Sequence, residues 1–298
     1  MNVICEFCTR GELRSLWQVD AWRYLACPVC RHARLDPLPQ RPEAERLYGA
    51  EYFDAGANTG YVDYLADERL HRLNARDRLG RIRLRRSAPG TLLDFGCAAG
   101  FFLDEARQAG WEVRGVDCSP WAREAAARFG LQVAPDWPAD GARFDVVSLF
   151  QVLEHLPQPR EALAAARERL TPDGTLILET WDRGSLIARL CGKRWQQVSP
   201  PSVIHLFSRE SLRRAVEAAG FCDVQIRATG KCVSAEFVGG LLARKYPRLF
   251  GPLGRLLSHS ALGRISAKYA LGDLITLTAR KSAWRASSPS LLPRRALG

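Results

Sequence analysis

Residues 91–110, TLLDFGCAAGFFLDEARQAG, run a fully apolar strand into an acid, a turn of small residues and a helix closed by Gly110. A strand with no polar face has to be covered on both sides, which parallel sheets achieve with crossover helices. The pattern then repeats. EVRGVD reads as a second strand, and SPWAREAAARFG as a helix with Ser119 as N-cap, proline in its first turn and Gly130 at its end. FDVVSLF is another buried strand, PREALAAARERL a helix, and the turn TPDG leads into the strand TLILETW. The helix SRESLRRAVEAAGF and two late strands, near Val224–Arg227 and Asp273–Thr278, complete the set. This alternation predicts an α/β fold, a Rossmann-like, seven-stranded, mostly parallel sheet with helices on both faces. In such sheets ligands bind beyond the carboxyl ends of the strands, where the DFGCAAG turn falls.

A different signal occupies the first forty residues. Of nine cysteines, four form two pairs, Cys5-x-x-Cys8 and Cys27-x-x-Cys30. Each pair can present two thiolates to one metal from a single tight turn, and two such turns complete a tetrahedral site that suits zinc. With four protein ligands the site is closed and structural. A thioredoxin-like redox motif fits less well, because that motif is single and opens a helix. The spacing therefore predicts a zinc-ribbon-like module over 1–40, ended by Pro37, Pro39 and Pro42. Residues 41–86 follow as a helical connector or lid, then the α/β domain over 87–281 and a disordered tail over 282–298.

Partners are bounded by charge and hydropathy. The net charge of +11 is carried mostly by arginine. The arginine-heavy stretch near 70–86 reads as the solvated face of an amphipathic helix, with His71 and, further on, His259 on the surface, so no nucleic-acid partner is expected. No apolar run approaches the roughly 18 residues of a membrane span. Met1–Arg10 lacks a basic-then-apolar signal pattern, which predicts a cytoplasmic protein.

The glycine turn fails the dinucleotide test, since Phe101 stands where the fingerprint needs a third small residue after Gly96 and Ala98. Its own spacing, Asp94 followed by Gly96 and Gly100, resembles motif I of the class I S-adenosylmethionine (SAM)-dependent methyltransferases. GVDCSP, FDVVSLFQVLEHL and LTPDGTLILET resemble later motifs of that family in the same order, so the likeness covers about residues 90–230. The resemblance implies SAM as cofactor. Asp94 would orient its amino group, Gly96, Cys97, Ala98 and Gly100 would form the loop under its methionine end, and Asp117, beside Cys118, would take the ribose hydroxyls. Asp136 and Trp137 match the adenine position, and Phe150 and Gln151 would border the sulfonium. Ala98 departs from the family's frequent glycine and narrows the approach.

Methyl transfer to oxygen calls for a base, and histidine titrates in the right range. His155, in the EHL turn, and His205, in PPSVIHLFS, are the candidates, each with a structural role as the alternative. The segments 182–207 and 231–272 read as substrate-side insertions. Within the second, the basic amphipathic stretch 235–272 reads as a lid, with contact to a membrane surface as the alternative. By the family resemblance Tyr48, Tyr52 and Tyr61 would lie near the cofactor mouth as lid residues, with a role as packing aromatics as the alternative. The order of cysteine module, connector and SAM domain resembles bacterial methyltransferases of sugar, surface-glycan and secondary-metabolite pathways, which implies a small-molecule or glycan-linked acceptor, methylated at oxygen. Methylation at carbon or nitrogen is the alternative within enzymes, and a zinc and nucleic-acid-binding protein with a vestigial or RNA-directed SAM fold is the alternative outside them.

Overall fold

A computed structural model describes residues 3–54, 64–245, 247–258 and 265–281. Tyr61, His259 and the tail 282–298 lie outside the described residues. Near the N-terminus, β1 (Arg14–Val19), β2 (Trp22–Ala26) and β3 (Ala33–Asp36) form an antiparallel sheet. Two short helices, α1 (Arg41–Arg46) and α2 (Ala50–Asp54), lead to the long helix α3 (Glu68–Arg83).

The α/β alternation then proceeds much as the apolar runs predict. It comprises β4 (Thr91–Phe95), α4 (Phe101–Gln108), β5 (Glu112–Val116), α5 (Pro120–Ala127), β6 (Val133–Ala134), β7 (Phe144–Phe150), α6 (Pro159–Arg169) and β8 (Leu170–Trp181). Ser119 caps α5 by accepting from the Ala122 N–H, as its position predicts. The chain continues through α7 (Leu186–Cys191), β9 (His205–Leu206), α8 (Arg209–Ala218), β10 (Phe221–Ala228), β11 (Lys231–Ser234), α9 (Ala235–Lys245), α10 (Pro247–Ser258), β12 (Ser266–Tyr269) and β13 (Leu274–Lys281).

The main sheet has seven strands in the order β10-β13-β8-β7-β4-β5-β6. From β8 to β6 all neighbours are parallel, and β13 enters antiparallel between β8 and β10. Leu92, Leu93, Val146, Val147, Leu176, Ile177 and Leu178 are fully buried in its central strands. TPDG does not form a separate turn. It bulges within β8, where Leu170 pairs with Phe144 and Thr175 with Val146, so the extra residues loop out of the register.

Two features fall outside what periodicity conveys. The strand β9, from the 182–207 segment, pairs with β3 and completes a four-stranded sheet with the cysteine-bearing N-terminal residues. The Ser208 hydroxyl donates to the Cys30 carbonyl at 2.6 Å and tightens the same junction. The second feature is α3, whose arginines divide: Arg69, Arg76 and Arg83 stay exposed, while the others do not join that solvated face. Arg72 pairs with Asp104 and Glu105, Arg78 and Arg81 both pair with the buried Glu179, and Arg85, just past the helix, bonds Asp223 and Thr278. The guanidiniums of Arg72, Arg78 and Arg81 turn inward because acids on α4 and β8 are buried beneath them and need partners.

Candidate active site

A cavity of about 450 Å³ opens at the carboxyl ends of β4, β5 and β7. Its floor is the β4–α4 turn. Gly96 has φ of +78°, and a Cβ built on it would lie 2.3 Å from Val152 Cγ2, so only glycine lets the backbone pass this point. The Gly96 and Cys97 N–H groups donate to the Val116 carbonyl, which ties the turn to β5. Ala98 takes φ of +48° and donates its N–H to Asp117 Oδ2 at 2.8 Å.

Two acids end adjacent strands beside this turn. Asp94, buried, accepts from the Ser148 hydroxyl at 2.6 Å, and burial pushes its carboxyl up to about 7. Asp117 also accepts from the Ser119 N–H at 2.9 Å, and burial again raises its carboxyl. The amides hold the Asp117 carboxylate in one orientation while each oxygen retains accepting capacity for a ligand.

The structure brings most of the sequence-predicted residues to this cavity. Asp94, Gly96, Cys97, Ala98, Asp117, Cys118, Asp136, Trp137, Phe150, Gln151 and His155 line it. Trp137 stacks on Phe95 with ring centroids 4.2 Å apart, and Asp136 pairs with Arg41 at 2.6 Å. Tyr48 and Tyr52 join the wall, as does Phe237 of α9, so the 235–272 segment contributes to the enclosure. His155 Nδ1 lies 2.6 Å from the Ser202 carbonyl oxygen. A carbonyl only accepts, so this bond requires the proton on Nδ1 and leaves Nε2 unprotonated in the neutral ring.

Three predicted roles meet a different geometry. His205 does not line the cavity. Its pairing with Arg34 across β9 and β3 carries it into the junction with the cysteine module, where Nδ1 stands 3.2 Å from His32 Nε2 among Phe7 and Phe207. Burial pushes its imidazole down to about 3, so it is neutral and sealed from any acceptor. Gly100 is also outside the lining. At φ of +81° it precedes α4, and a Cβ there would lie 2.7 Å from Leu131 Cδ1 and 3.1 Å from Ala126 Cβ, so close packing accounts for it. His71, expected on the surface, lines the cavity instead, stacked on Tyr64 at 4.0 Å. Burial pushes it down to about 3.

Sequence reasoning missed Arg78, Glu179 and Lys231. Arg78 lies with its guanidinium 4.3 Å above the Phe150 ring while paired to Glu179. Lys231 donates to Gln151 Oε1 at 3.2 Å. Glu179 had a signal, an acid near the end of an apolar strand like Asp94 and Asp117. Lys231 had none, because a single lysine carries no pattern.

The four cysteines converge as their spacing predicts. Cys5 and Cys30 Sγ atoms are 3.5 Å apart, Cys8 and Cys27 3.4 Å, and all four sulfurs lie within 4.8 Å of one another. A tetrahedral zinc with Zn–S of about 2.3 Å requires sulfur separations near 3.8 Å, so the set fits that ion. All four are buried, and the hydrogen bond to Cys5 together with burial pushes the Cys30 thiol far up, so the four sulfurs need a cation to ionise together.

Comparison with known proteins matches residues 61–226 to the methyltransferase domain family. The chain belongs to this family. Curated relatives include the ubiquinone biosynthesis O-methyltransferase of Cereibacter sphaeroides, 34% identical over 130 residues that make up 40% of this chain and 53% of that protein. The mitochondrial ubiquinone biosynthesis O-methyltransferase of Schizosaccharomyces pombe is 35% identical over 111 residues, 33% of this chain and 40% of that one. The chain thus spans about half the length of the curated relatives it matches. Among solved structures, the magnesium protoporphyrin IX methyltransferase of Synechocystis, with bound SAH (S-adenosylhomocysteine), superposes with a TM-score of 0.51 at 16% identity, over 82% of this chain and all of that one. The YcgJ protein of Bacillus subtilis gives the same score and identity over 70% of this chain and 99% of its own. These likenesses show the fold: this is the Rossmann-like α/β sheet of the class I methyltransferases.

Proposed function

We propose that this protein transfers a methyl group from SAM to an oxygen of a small-molecule acceptor. The observation that carries the reading is the cavity itself, which gathers Asp94, the glycine turn, Asp117, Gln151 and His155 at the carboxyl ends of parallel strands. The names of the curated relatives support oxygen as the acceptor atom. When bound, SAM supplies an electrophilic methyl carbon on positive sulfur. Asp117 would hold the ribose side, Asp94 and the backbone at Gly96–Ala98 the methionine end, and Asp136 with Trp137 the adenine. The aromatic walls exclude water and align donor with acceptor, which is most of what an in-line displacement requires. His155 Nε2 would take the hydroxyl proton as the oxygen–methyl bond forms and the methyl–sulfur bond breaks, the electron pair leaving with the neutral thioether, while the Ser202 carbonyl holds the ring through Nδ1.

The cysteine module holds a structural zinc in this reading, and its support is the fit of four buried sulfurs. Its sheet contains β9, three residues beyond the carbonyl of Ser202 that orients His155, so the metal stabilises that loop at a distance. One zinc per chain by elemental analysis of protein purified without chelator supports this, and a metal-free, fully folded chain refutes it. The narrower expectation of a sugar- or glycan-linked acceptor rests on the order of the modules alone. The nucleic-acid reading has less support, since Arg72, Arg78, Arg81 and Arg85 are engaged in ion pairs and hydrogen bonds, although Arg69, Arg76 and Arg83 stay exposed. No described helix is long and apolar enough to cross a membrane. A cytoplasmic location and the membrane contact of 235–272 stay proposals, each open to fractionation and liposome co-sedimentation.

Calorimetric titration with SAM tests the function. Saturable binding that Asp117→Ala abolishes is expected. Wild-type protein with its zinc in place that binds no SAM refutes the reading.

A further inference from the structure

Lys231 opens β11 and sits half-buried in the cavity wall. Its Nζ donates to Gln151 Oε1 at 3.2 Å and stands 5.1 Å from the Trp181 ring centroid and 5.4 Å from that of Phe237. Among the described residues no carboxylate pairs with it. Two of the acids nearby are engaged elsewhere. Glu179 is held by Arg78 and Arg81, and Asp273 accepts from Trp195 Nε1 and the Tyr269 hydroxyl. Glu154, buried, has its carboxyl pushed up by burial, which favours the neutral acid.

Aromatic faces and one amide oxygen stabilise an ammonium without neutralising it. A partly desolvated cation lacking its counterion is costly, and a ligand that brings the missing negative charge recovers that cost. A single ammonium suits a singly charged group. Arg78 is committed to Glu179, and the Asn74 amide is closed on the Cys232 backbone, so neither offers the further donors that a phosphate dianion requires. Burial and Arg78 push Lys231 down to about 8, which keeps it mostly protonated at neutral pH.

We propose that the methyl acceptor carries a carboxylate that binds against Lys231, so that the site selects hydroxylated carboxylic acids. This rests on the methyltransferase reading and narrows its substrate class. Lys231 is then the residue that distinguishes an acid from its neutral analogue.

The test uses the full chain with its zinc, loaded with SAH after calorimetry has established that SAH binds. Loaded protein is titrated with 4-hydroxybenzoate and with 4-hydroxybenzamide, equal in shape and different in charge. Calorimetry gives the readout, since eight tryptophans would share any fluorescence change. The acid is expected to bind about tenfold or more tighter than the amide, the effect of one hydrogen bond to a charged group. Lys231→Met should erase the preference and Lys231→Arg retain it; a fall in SAH affinity on Lys231→Met would assign the ammonium to the cofactor's own carboxylate and overturn the proposal. Equal affinities, no binding of the acid, or a preference that survives Lys231→Met overturns the proposal. Failure of the wild-type chain to bind SAH overturns instead the methyltransferase reading on which it stands.

Discussion

Replacing Asp94 by asparagine should make the ligand-free protein more stable at pH 8 and worse at holding SAM. Burial raises the Asp94 carboxyl from 3.8 to about 7, with Ser148 and Arg78 offsetting part of the effect and Asp117 and Glu179 adding to it. At about 1.4 kcal/mol per pH unit, that displacement corresponds to about 4 kcal/mol. The direction follows from proton counting. Between pH 3.8 and about 7 the folded chain keeps this proton while the unfolded chain has lost it, so unfolding releases a proton and rising pH favours it. The stabilisation is therefore complete below the unfolded value and fully lost above about 7. The asparagine side chain would preserve the oxygen that Ser148 donates to and carry no charge at any pH. Urea unfolding followed by tryptophan fluorescence should show Asp94→Asn ahead of the wild type by up to about 4 kcal/mol at pH 8, with the gap closing toward pH 4–5. SAM should stabilise the wild type and not the variant, because its ammonium gives the ionised Asp94 a partner. A variant less stable than the wild type at pH 8, or a gap independent of pH, would refute the account of Asp94 as a carboxylate held at a cost for its ligand.

Further perturbations test other parts of the site. Gly96→Ala places a methyl 2.3 Å from Val152 Cγ2 at a positive φ, and should displace the turn and abolish SAM binding by calorimetry. Glu179→Gln leaves Arg78 and Arg81 without their acid and should lower stability by about 3–5 kcal/mol in urea titration, the range for breaking a buried pair. His155→Ala should slow methyl transfer to a hydroxylated acceptor about 10²-fold with SAM affinity unchanged. His205→Asn should lower the unfolding midpoint and leave that rate intact, since its ring contacts His32 and not the cavity.

Local chemistry determined a good deal by itself. An apolar run bounded by glycine and capping residues has no stable alternative to a buried strand followed by a helix, so β4, β5 and β7 and the helices between them follow from residue order. Asp94 and Asp117 stand at strand ends for the same reason, and two CxxC turns can share one ion whatever surrounds them. Only the tertiary structure decided where the long-range charges and the histidines went. Arg72, Arg78 and Arg81 share the arginine-rich spacing of a solvated face with Arg69, Arg76 and Arg83, yet the first three turn inward because Glu105 and Glu179, distant in sequence, are buried beneath them. His205 and His155 both lie in short segments after apolar strands. Pairing with β3 seals the first away from solvent, and the Ser202 carbonyl aims the second at the cavity. Lys231 carried no pattern at all. What it can bind depends on which acids its neighbours have already claimed, and that competition exists only once the chain has folded.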